Sequence, residues 1–211
     1  ELCEQLLRGC RLRKVPCISV LDPVIAAVGN FLGQQPTHRI GGQHELDEAY
    51  FARIEAMDWS LTHDDGQRTE ELNGSDIVLV GVSRTSKTPT CLYLANRGIK
   101  AANVPYVPGV PVPESLARLT HPLVIGLTND PKRLVELRRA RLTSLHEHEQ
   151  TDYVDPEVVR AEITEARRYF ALNNWPVIDV PRRSIEETSA AIVKVYNRHL
   201  EETGKGSDGT G

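Results

Sequence analysis

The 211-residue sequence lacks the features that mark membrane-spanning, secreted and nucleic-acid-binding proteins. It has no run of ~18 apolar residues, the length that a transmembrane helix needs, and its first residues resemble no signal peptide. The formal net charge of −4 does not favour nucleic acid as a partner. Its four cysteines form no Cys-x-x-Cys pair and no metal-ligand spacing. These absences predict a cytoplasmic protein with reduced cysteines and neither a membrane nor a nucleic-acid partner.

Strand and helix signals alternate along the chain and predict an α/β fold with a parallel sheet flanked by helices. Short apolar runs typical of buried parallel strands occur at residues 15–21, 77–80, 100–107, 123–128 and 176–180. Helical patterns occur at residues 1–9, 24–32, 46–59, 87–98, from 132, at 153–173 and at 184–200. Because the chain begins in a helical pattern, we expect an amino-terminal segment to precede it.

Composition and pattern also divide the chain into three expected parts. Residues 1–74 are expected to be the remainder of an amino-terminal α/β segment, and residues 75–200 a nucleotide-binding core of the P-loop kinase type. Residues 201–211 are rich in glycine and are expected to form a disordered tail.

The segment from Ser75 to Gly98 combines a buried strand, a glycine turn and a helix. Its loop fits the phosphate-binding pattern G-x-x-x-x-G-K-[ST] except that Ser86 replaces the second glycine. Such a loop directs backbone N–H groups and a lysine at phosphate oxygens. The predicted nucleotide-binding residues are Gly81, Val82, Ser83, Arg84, Thr85, Ser86, Lys87 and Thr88. The alternative is an ordinary strand–turn–helix unit with an exposed lysine.

Two charged groups could complete a site around this loop. The segment His63-Asp64-Asp65-Gly66 precedes the loop strand and offers carboxylates for metal binding or base chemistry, although Asp-Gly is also a common solvated turn. The helix after residue 131 carries Arg138 and Arg141 three positions apart, hence on one face. They are interpreted either as a phosphate clamp or as part of a solvated basic face.

Several motifs together resemble one family. They are Gly-Val-Ser-Arg-Thr-Ser-Lys-Thr-Pro at residues 81–89, Ala-Asn-Val-Pro at 102–105, Pro-Gly-Val-Pro at 108–111, Gly-Leu-Thr at 126–128, Val-Ile-Asp-Val at 177–180 with Ser-Ile-Glu-Glu-Thr at 184–188, and, upstream, residues 50–56 and 63–66. This combination resembles the bifunctional kinase/pyrophosphorylase family that regulates pyruvate, phosphate dikinase and phosphoenolpyruvate synthase. The resemblance covers nearly all of residues 1–200, and the family's usual amino-terminal segment is expected to be absent.

The resemblance implies an enzyme with two opposed reactions on one threonine of its partner, either the dikinase or the synthase. It phosphorylates the threonine with ADP as donor, and it removes the phosphoryl group with inorganic phosphate to give pyrophosphate. Lys87 is expected to hold the donor's terminal phosphate and Thr88 to bind Mg²⁺ through its hydroxyl. The resemblance leaves a homodimer open.

Roles for the remaining residues follow from this implied chemistry. Asp64 is favoured as the base that accepts the threonine proton, with Asp65 near the metal, but the reverse order stays open. His63 is expected to orient the base or the acceptor. Arg138 and Arg141 are expected to approach the transferring phosphoryl group.

Two other functions fit the loop pattern alone. One is a small-molecule P-loop kinase that uses ATP and a metabolite, and the other is a non-catalytic nucleotide-sensing module. Turnover with ADP and a protein acceptor separates the family function from the first. A catalytic base in the segment at residues 63–66 separates the family function from the sensing module, which needs no base.

Overall fold

The computed structural model describes residues 2–18, 20–34, 48–145, 152–180 and 183–204. The chain forms two compact units, Glu1–Glu45 and Leu46–Gly211. Residues 35–47, predicted to form a polar connection and the start of a helix, lie outside the described residues, as do residues 205–211 of the predicted tail. No helix in the described part of the chain is long and apolar enough to cross a membrane.

The first unit contains two helices, α1 (Leu2–Leu12) and α2 (Leu21–Leu32). The predicted strand at residues 15–21 is wrong, because residues 15–18 have no regular structure and Leu21 already begins α2. Pro16 has no N–H for a strand ladder, and Pro23 lies in the first turn of α2, where proline favours a helix. Helix formation therefore extends into the apolar run.

The second unit is built on four parallel strands in the order β2-β1-β3-β4, which confirms the predicted α/β fold. The strands are β1 (Ile77–Gly81), β2 (Ala101–Pro105), β3 (Leu123–Thr128) and β4 (Val177–Asp179). The chain leaves β1 toward β2 on one side and leaves β3 toward β4 on the other. The topological switch point therefore lies between the carboxyl ends of β1 and β3, where open parallel sheets bind ligands.

Helices cover both faces of the sheet. Successive residues of a strand point to opposite faces, so alternate residues of β1 pack against different helices. Ile77 and Leu79 of β1 belong to the apolar cluster with α4 and α7, and Val78 and Val80 belong to the cluster with α5 and α6. The helices of this unit are α3 (Glu48–Thr62), α4 (Lys87–Ala95), α5 (Pro131–Leu145), α6 (Pro156–Leu172) and α7 (Ile185–Glu202). The expected division at residue 74 stays a prediction; α3 belongs to the same unit as the sheet.

Helix ends agree with the sequence where a capping signal is complete. Ser184 caps the start of α7 with the predicted capping box: its hydroxyl accepts from the N–H of Glu187, and the Glu187 carboxylate accepts from the N–H of Ser184. The predicted helix start at Tyr153 is wrong. Asp155 caps α6 with Pro156 in its first turn, and Asp152–Val154 form a separate 3-10 turn. The first two residues of the predicted tail, 201 and 202, belong to α7, which continues through Glu202.

Candidate active site

The predicted phosphate-binding loop lies between β1 and α4, at the carboxyl edge of the sheet. A Cβ at Gly81 would lie 2.6 Å from the carbonyl oxygen of Leu127 in β3, so this position admits no side chain. Arg84 and Ser86 have left-handed backbones, with φ of 69° and 60°. Ser86 therefore adopts the conformation for which the loop pattern usually carries glycine.

The side chain of Lys87 is buried within this loop, with only 7% of its surface exposed. Its Nζ donates to the carbonyl oxygen of Val82 at 3.0 Å, and the Thr85 hydroxyl donates to the same oxygen at 2.9 Å. Burial lowers the pKa of Lys87 to about 8, and the carboxylate of Asp65 partly opposes this shift. The exposed lysine of the alternative interpretation is absent, and a buried ammonium is available to an anion at the loop.

Thr88, Asp64 and Asn103 form a hydrogen-bonded cluster beside the loop. The Thr88 hydroxyl donates to Oδ1 of Asp64 at 2.9 Å. Nδ2 of Asn103 donates to the same carboxylate oxygen at 2.6 Å and to the Thr88 hydroxyl at 3.0 Å. Backbone hydrogen bonds hold the turn in place, because Asn103 donates to the carbonyl of His63 and accepts from the N–H of Gly66. The strand β2 thus fixes the aspartate against the first turn of α4.

The two aspartates of the turn have different environments. Asp64 is partly buried and hydrogen-bonded, whereas Asp65 is exposed, with a left-handed φ of 50°. Gly66 follows with φ of 76°, which provides the tight turn expected from the sequence. Among the groups that raise the pKa of Lys87, Asp65 has the largest effect, ahead of Asp64. Both carboxylates therefore act electrostatically on the loop lysine.

His63 is packed away from the Asp64 carboxylate. Its ring is 1% exposed and stacks on Trp59, with centroids 3.9 Å apart. Nδ1 lies 2.9 Å from the Trp59 carbonyl oxygen, and Nε2 lies 3.4 Å from Oε2 of Glu71. These contacts anchor the start of the turn on α3.

The side chain of Arg138 is 2% exposed, so the interpretation of this residue as part of a solvated face is wrong. Its guanidinium forms a bidentate pair with Glu162 of α6, at 2.7 and 3.0 Å. It lies over the Tyr153 ring and donates to the carbonyls of Tyr153 and, at 3.4 Å, of Ser83 in the loop. The Tyr153 hydroxyl lies 3.0 Å from Oγ of Ser83. This arginine therefore connects α5 and α6 to the outer part of the loop.

Arg141 does not share this environment, because it is exposed to solvent on α5. The two residues share a side of α5, but they differ by about 60° around the helix and about 4.5 Å along its axis. This offset leaves Arg141 on the solvent side. The structure therefore brings Arg138 to the loop without Arg141.

Sequence reasoning missed three residues that complete the site: Asn103, Tyr153 and Glu162. Asn103 lies inside a strand, and a buried polar residue in an otherwise apolar run was the available signal. Glu162 and Tyr153 were part of a long charged segment, and no spacing indicated that one acid faces a buried arginine 24 residues earlier.

The donor set beside the loop suits a hard cation held together with phosphate oxygens. Mg²⁺ prefers oxygen ligands and usually binds through one or two carboxylates, water and substrate phosphates. The Asp64 carboxylate and the Thr88 hydroxyl are donors of this type. Within the described ranges, no group of three or more His, Cys, Asp or Glu side chains could hold a metal ion. The residues could therefore hold Mg²⁺ with a bound nucleotide, but they form no cage of protein ligands alone.

Comparison with known proteins identifies the family of the chain. A family described as Kinase/pyrophosphorylase matches residues 1–193. Relatives named pyruvate, phosphate dikinase regulatory protein include those of Paramagnetospirillum magneticum, 57% identical over 94% of this chain and 64% of the relative, and of Caulobacter vibrioides, 54% identical over 91% and 61%. This chain thus spans less than two thirds of the length of these two relatives. Because the family model matches residues 1–193, the chain belongs to the kinase/pyrophosphorylase family.

Proposed function

We propose that this chain carries the core of a phosphotransferase that acts in both directions on one threonine of pyruvate, phosphate dikinase. In one direction the threonine oxygen attacks the β-phosphorus of ADP, the bond to AMP breaks, and the threonine loses its proton. In the other direction inorganic phosphate attacks the phosphorus of the phosphothreonine, the bond to the threonine oxygen breaks, that oxygen takes up a proton, and pyrophosphate is released. The names of the relatives support the dikinase as the target. Phosphoenolpyruvate synthase is the second candidate.

The observation that carries this proposal is the convergence of Lys87, Thr88 and Asp64 at the carboxyl edge of the sheet. Phosphoryl transfer passes through a loose transition state, so the protein acts mainly by positioning the reactants and neutralising charge. The Lys87 ammonium is buried, where electrostatic stabilisation is stronger than in water. It would exchange its contact with the Val82 carbonyl for a phosphate oxygen.

Within this proposal, the contacts support the reverse of the favoured order for the two acids. Oδ1 of Asp64 already accepts from Thr88 and Asn103, which orients this carboxylate toward the hydroxyl that would bind the metal. Bound Mg²⁺ would neutralise charge on the phosphoryl oxygens. Asp65 follows Asp64 in the turn and is exposed, so it can accept a proton from an incoming threonine. We therefore assign Asp64 to the metal and Asp65 to the base.

The proposed part of His63 is to position the turn through packing on Trp59 rather than to contact the acceptor. Arg138 would stabilise the loop through the Ser83 carbonyl and add positive charge near the phosphoryl group. Arg141, exposed on α5, is assigned no contact with the phosphoryl group.

The experiment that tests this function uses the chain, Mg²⁺, ADP and the dikinase, followed by intact mass measurement of the dikinase. We expect a mass increase of one phosphoryl group, and release of pyrophosphate when the phosphorylated dikinase meets inorganic phosphate. Lys87→Ala should lower both rates by about 10²–10³, the usual cost of losing one electrostatic stabiliser. Turnover with ATP and a metabolite but not with ADP would instead support a small-molecule kinase. ADP binding without transfer would support a sensing module.

The two aspartates are tested with matched variants in the same assay. Asp65→Asn should abolish transfer in both directions while ADP still binds. Asp64→Asn should weaken the Mg²⁺-dependent part of ADP binding. Asp58→Asn, an exposed carboxylate of α3, is the control and should change neither. Normal transfer by both Asp64→Asn and Asp65→Asn would show that this turn does not take part in the chemistry.

A further inference from the structure

A cavity of about 340 Å³ borders the carboxyl edge of the sheet, beyond the phosphate loop. It lies between the ends of β3 and β4, the start of α5 and one side of α6. Its lining includes Asn129, Asp130, Ile163, Thr164, Arg167 and Asp179. None of these residues takes part in the site described above, and the volume lies within the range of small-molecule pockets.

The cavity lies within reach of a ligand whose phosphate occupies the loop. Gly81 at the end of β1 is in register with Leu127 of β3, and Thr128 is in register with Asp179 of β4. Neighbouring strands are about 4.8 Å apart, so the end of β4 is about 10 Å from the end of β1. A nucleoside diphosphate with its terminal phosphate at Lys87 extends over such a distance.

The carboxylate of Asp179 is held at the border of this cavity. Its Oδ1 accepts from the Thr128 hydroxyl and pairs with the Arg167 guanidinium. The side chain is 49% exposed, both contacts are made to Oδ1, and no described residue donates to Oδ2. A fixed carboxylate with an open oxygen is the group by which dinucleotide-binding folds recognise ribose hydroxyls.

The remaining chemistry suits a base and sugar better than a phosphate. Asp130 and Asp179 balance the arginines that line the cavity, so the lining is not a cationic site like the loop. Ile163 is 4% exposed and contributes apolar surface, and the Asn129 side chain, also 4% exposed, contributes an amide. A cavity with apolar surface and a few oriented polar groups is typical of sites for small organic ligands.

We propose that this cavity binds the nucleoside of the phosphoryl donor, with Asp179 accepting hydrogen bonds from the ribose hydroxyls. The assignment rests on the proposed function, because it takes the loop as the phosphate site. It adds the residues that distinguish a nucleotide from a bare pyrophosphate. The same chain would then bind inorganic phosphate or pyrophosphate through the loop alone.

The test measures the affinity of the chain for ADP, 2′,3′-dideoxy-ADP and pyrophosphate by calorimetry. Asp179→Asn should weaken ADP about tenfold, as expected for one hydrogen bond to a charged group, and leave pyrophosphate unchanged. Dideoxy-ADP should bind the wild type about tenfold more weakly than ADP, with no further loss in Asp179→Asn, because both changes remove the same interaction. Glu201→Gln, an exposed carboxylate of α7, is the control.

A second variant keeps the assignment testable if Asp179→Asn unfolds. Thr164→Phe places bulk in the cavity from the exposed side of α6 and should weaken both nucleotides but not pyrophosphate. Equal affinity of the wild type for ADP and dideoxy-ADP would overturn the ribose assignment, and so would equal losses of ADP and pyrophosphate in either variant. Binding of ADP and pyrophosphate that does not change in Lys87→Ala would instead overturn the loop as the phosphate site, and with it the proposed function.

Discussion

The lowered pKa of Lys87 predicts that the proposed binding of nucleotide depends on pH in a defined direction. Burial lowers this pKa from 10.5 to about 8, so the ligand-free protein releases the Lys87 proton as the pH rises through 8. A phosphate anion binds the charged form. Lys87 is charged in about nine tenths of the ligand-free molecules at pH 7 and in about one tenth at pH 9. The affinity for ADP should therefore fall about tenfold between these two pH values.

Calorimetric titration with ADP between pH 7 and pH 9 measures this dependence, over a range in which the phosphates of ADP stay ionised. At pH 8 each ADP should bind with uptake of about half a proton, which is detected by repeating the titration in buffers of different ionisation enthalpy. Lys87→Arg is the matched control, because a guanidinium stays charged and its affinity should not change with pH. A wild-type affinity that is constant over this range, or an equal fall in Lys87→Arg, would refute the reasoning.

The same pKa shift makes folding depend on pH. Between pH 8 and 10.5 Lys87 holds more protons in the unfolded chain than in the folded chain. The free energy of unfolding of the ligand-free protein should therefore rise with pH through that window. Ser86→Gly should raise stability by about 0.5–1 kcal/mol, because it relieves a left-handed backbone costing about 1–2 kcal/mol while adding chain entropy to the unfolded state. Ser144→Gly in α5 should lower stability, and urea unfolding compares the two; a loss in both would contradict the argument. Arg138→Ala should cost about 3–5 kcal/mol, because it leaves the largely buried Glu162 unpaired, whereas Arg141→Ala should stay within about 0.5 kcal/mol. Equal effects of the two arginine variants in thermal unfolding would rule out the difference in environment.

The sequence predicted those parts of the fold that depend on local signals. The strands at Ile77–Gly81 and Leu123–Thr128 are apolar runs bounded by turn residues, and the box at Ser184 carries both partners of its cap. The strand expected at residues 15–21 failed because strand propensity produces a strand only where a partner strand is available. The apolar pattern of residues 15–21 does not show that the described elements around it are helices, which offer no partner strand.

The candidate site was predictable where neighbours in sequence are neighbours in space. Lys87 and Thr88 are consecutive at a helix start, so their place in the loop followed from the motif. The burial of Arg138 depends on Glu162 in the next helix, and the orientation of Asp64 depends on Asn103 in β2. Such long-range pairs leave no regular spacing in the chain. The sequence therefore predicted a clamp of Arg138 and Arg141 together, whereas only Arg138 lies at the loop.

The turn that carries the two aspartates also protects an edge of the sheet. Strand β2 is an outer strand, and its unpaired backbone groups could otherwise recruit a strand from another molecule. At Asn103 both backbone groups are used by the turn, and the Ser60 hydroxyl donates to the Ala101 carbonyl at 2.7 Å. A substitution that loosens this turn would therefore expose a template for aggregation as well as displace a carboxylate. The same few residues therefore cover the sheet edge and carry the two carboxylates of the proposed site.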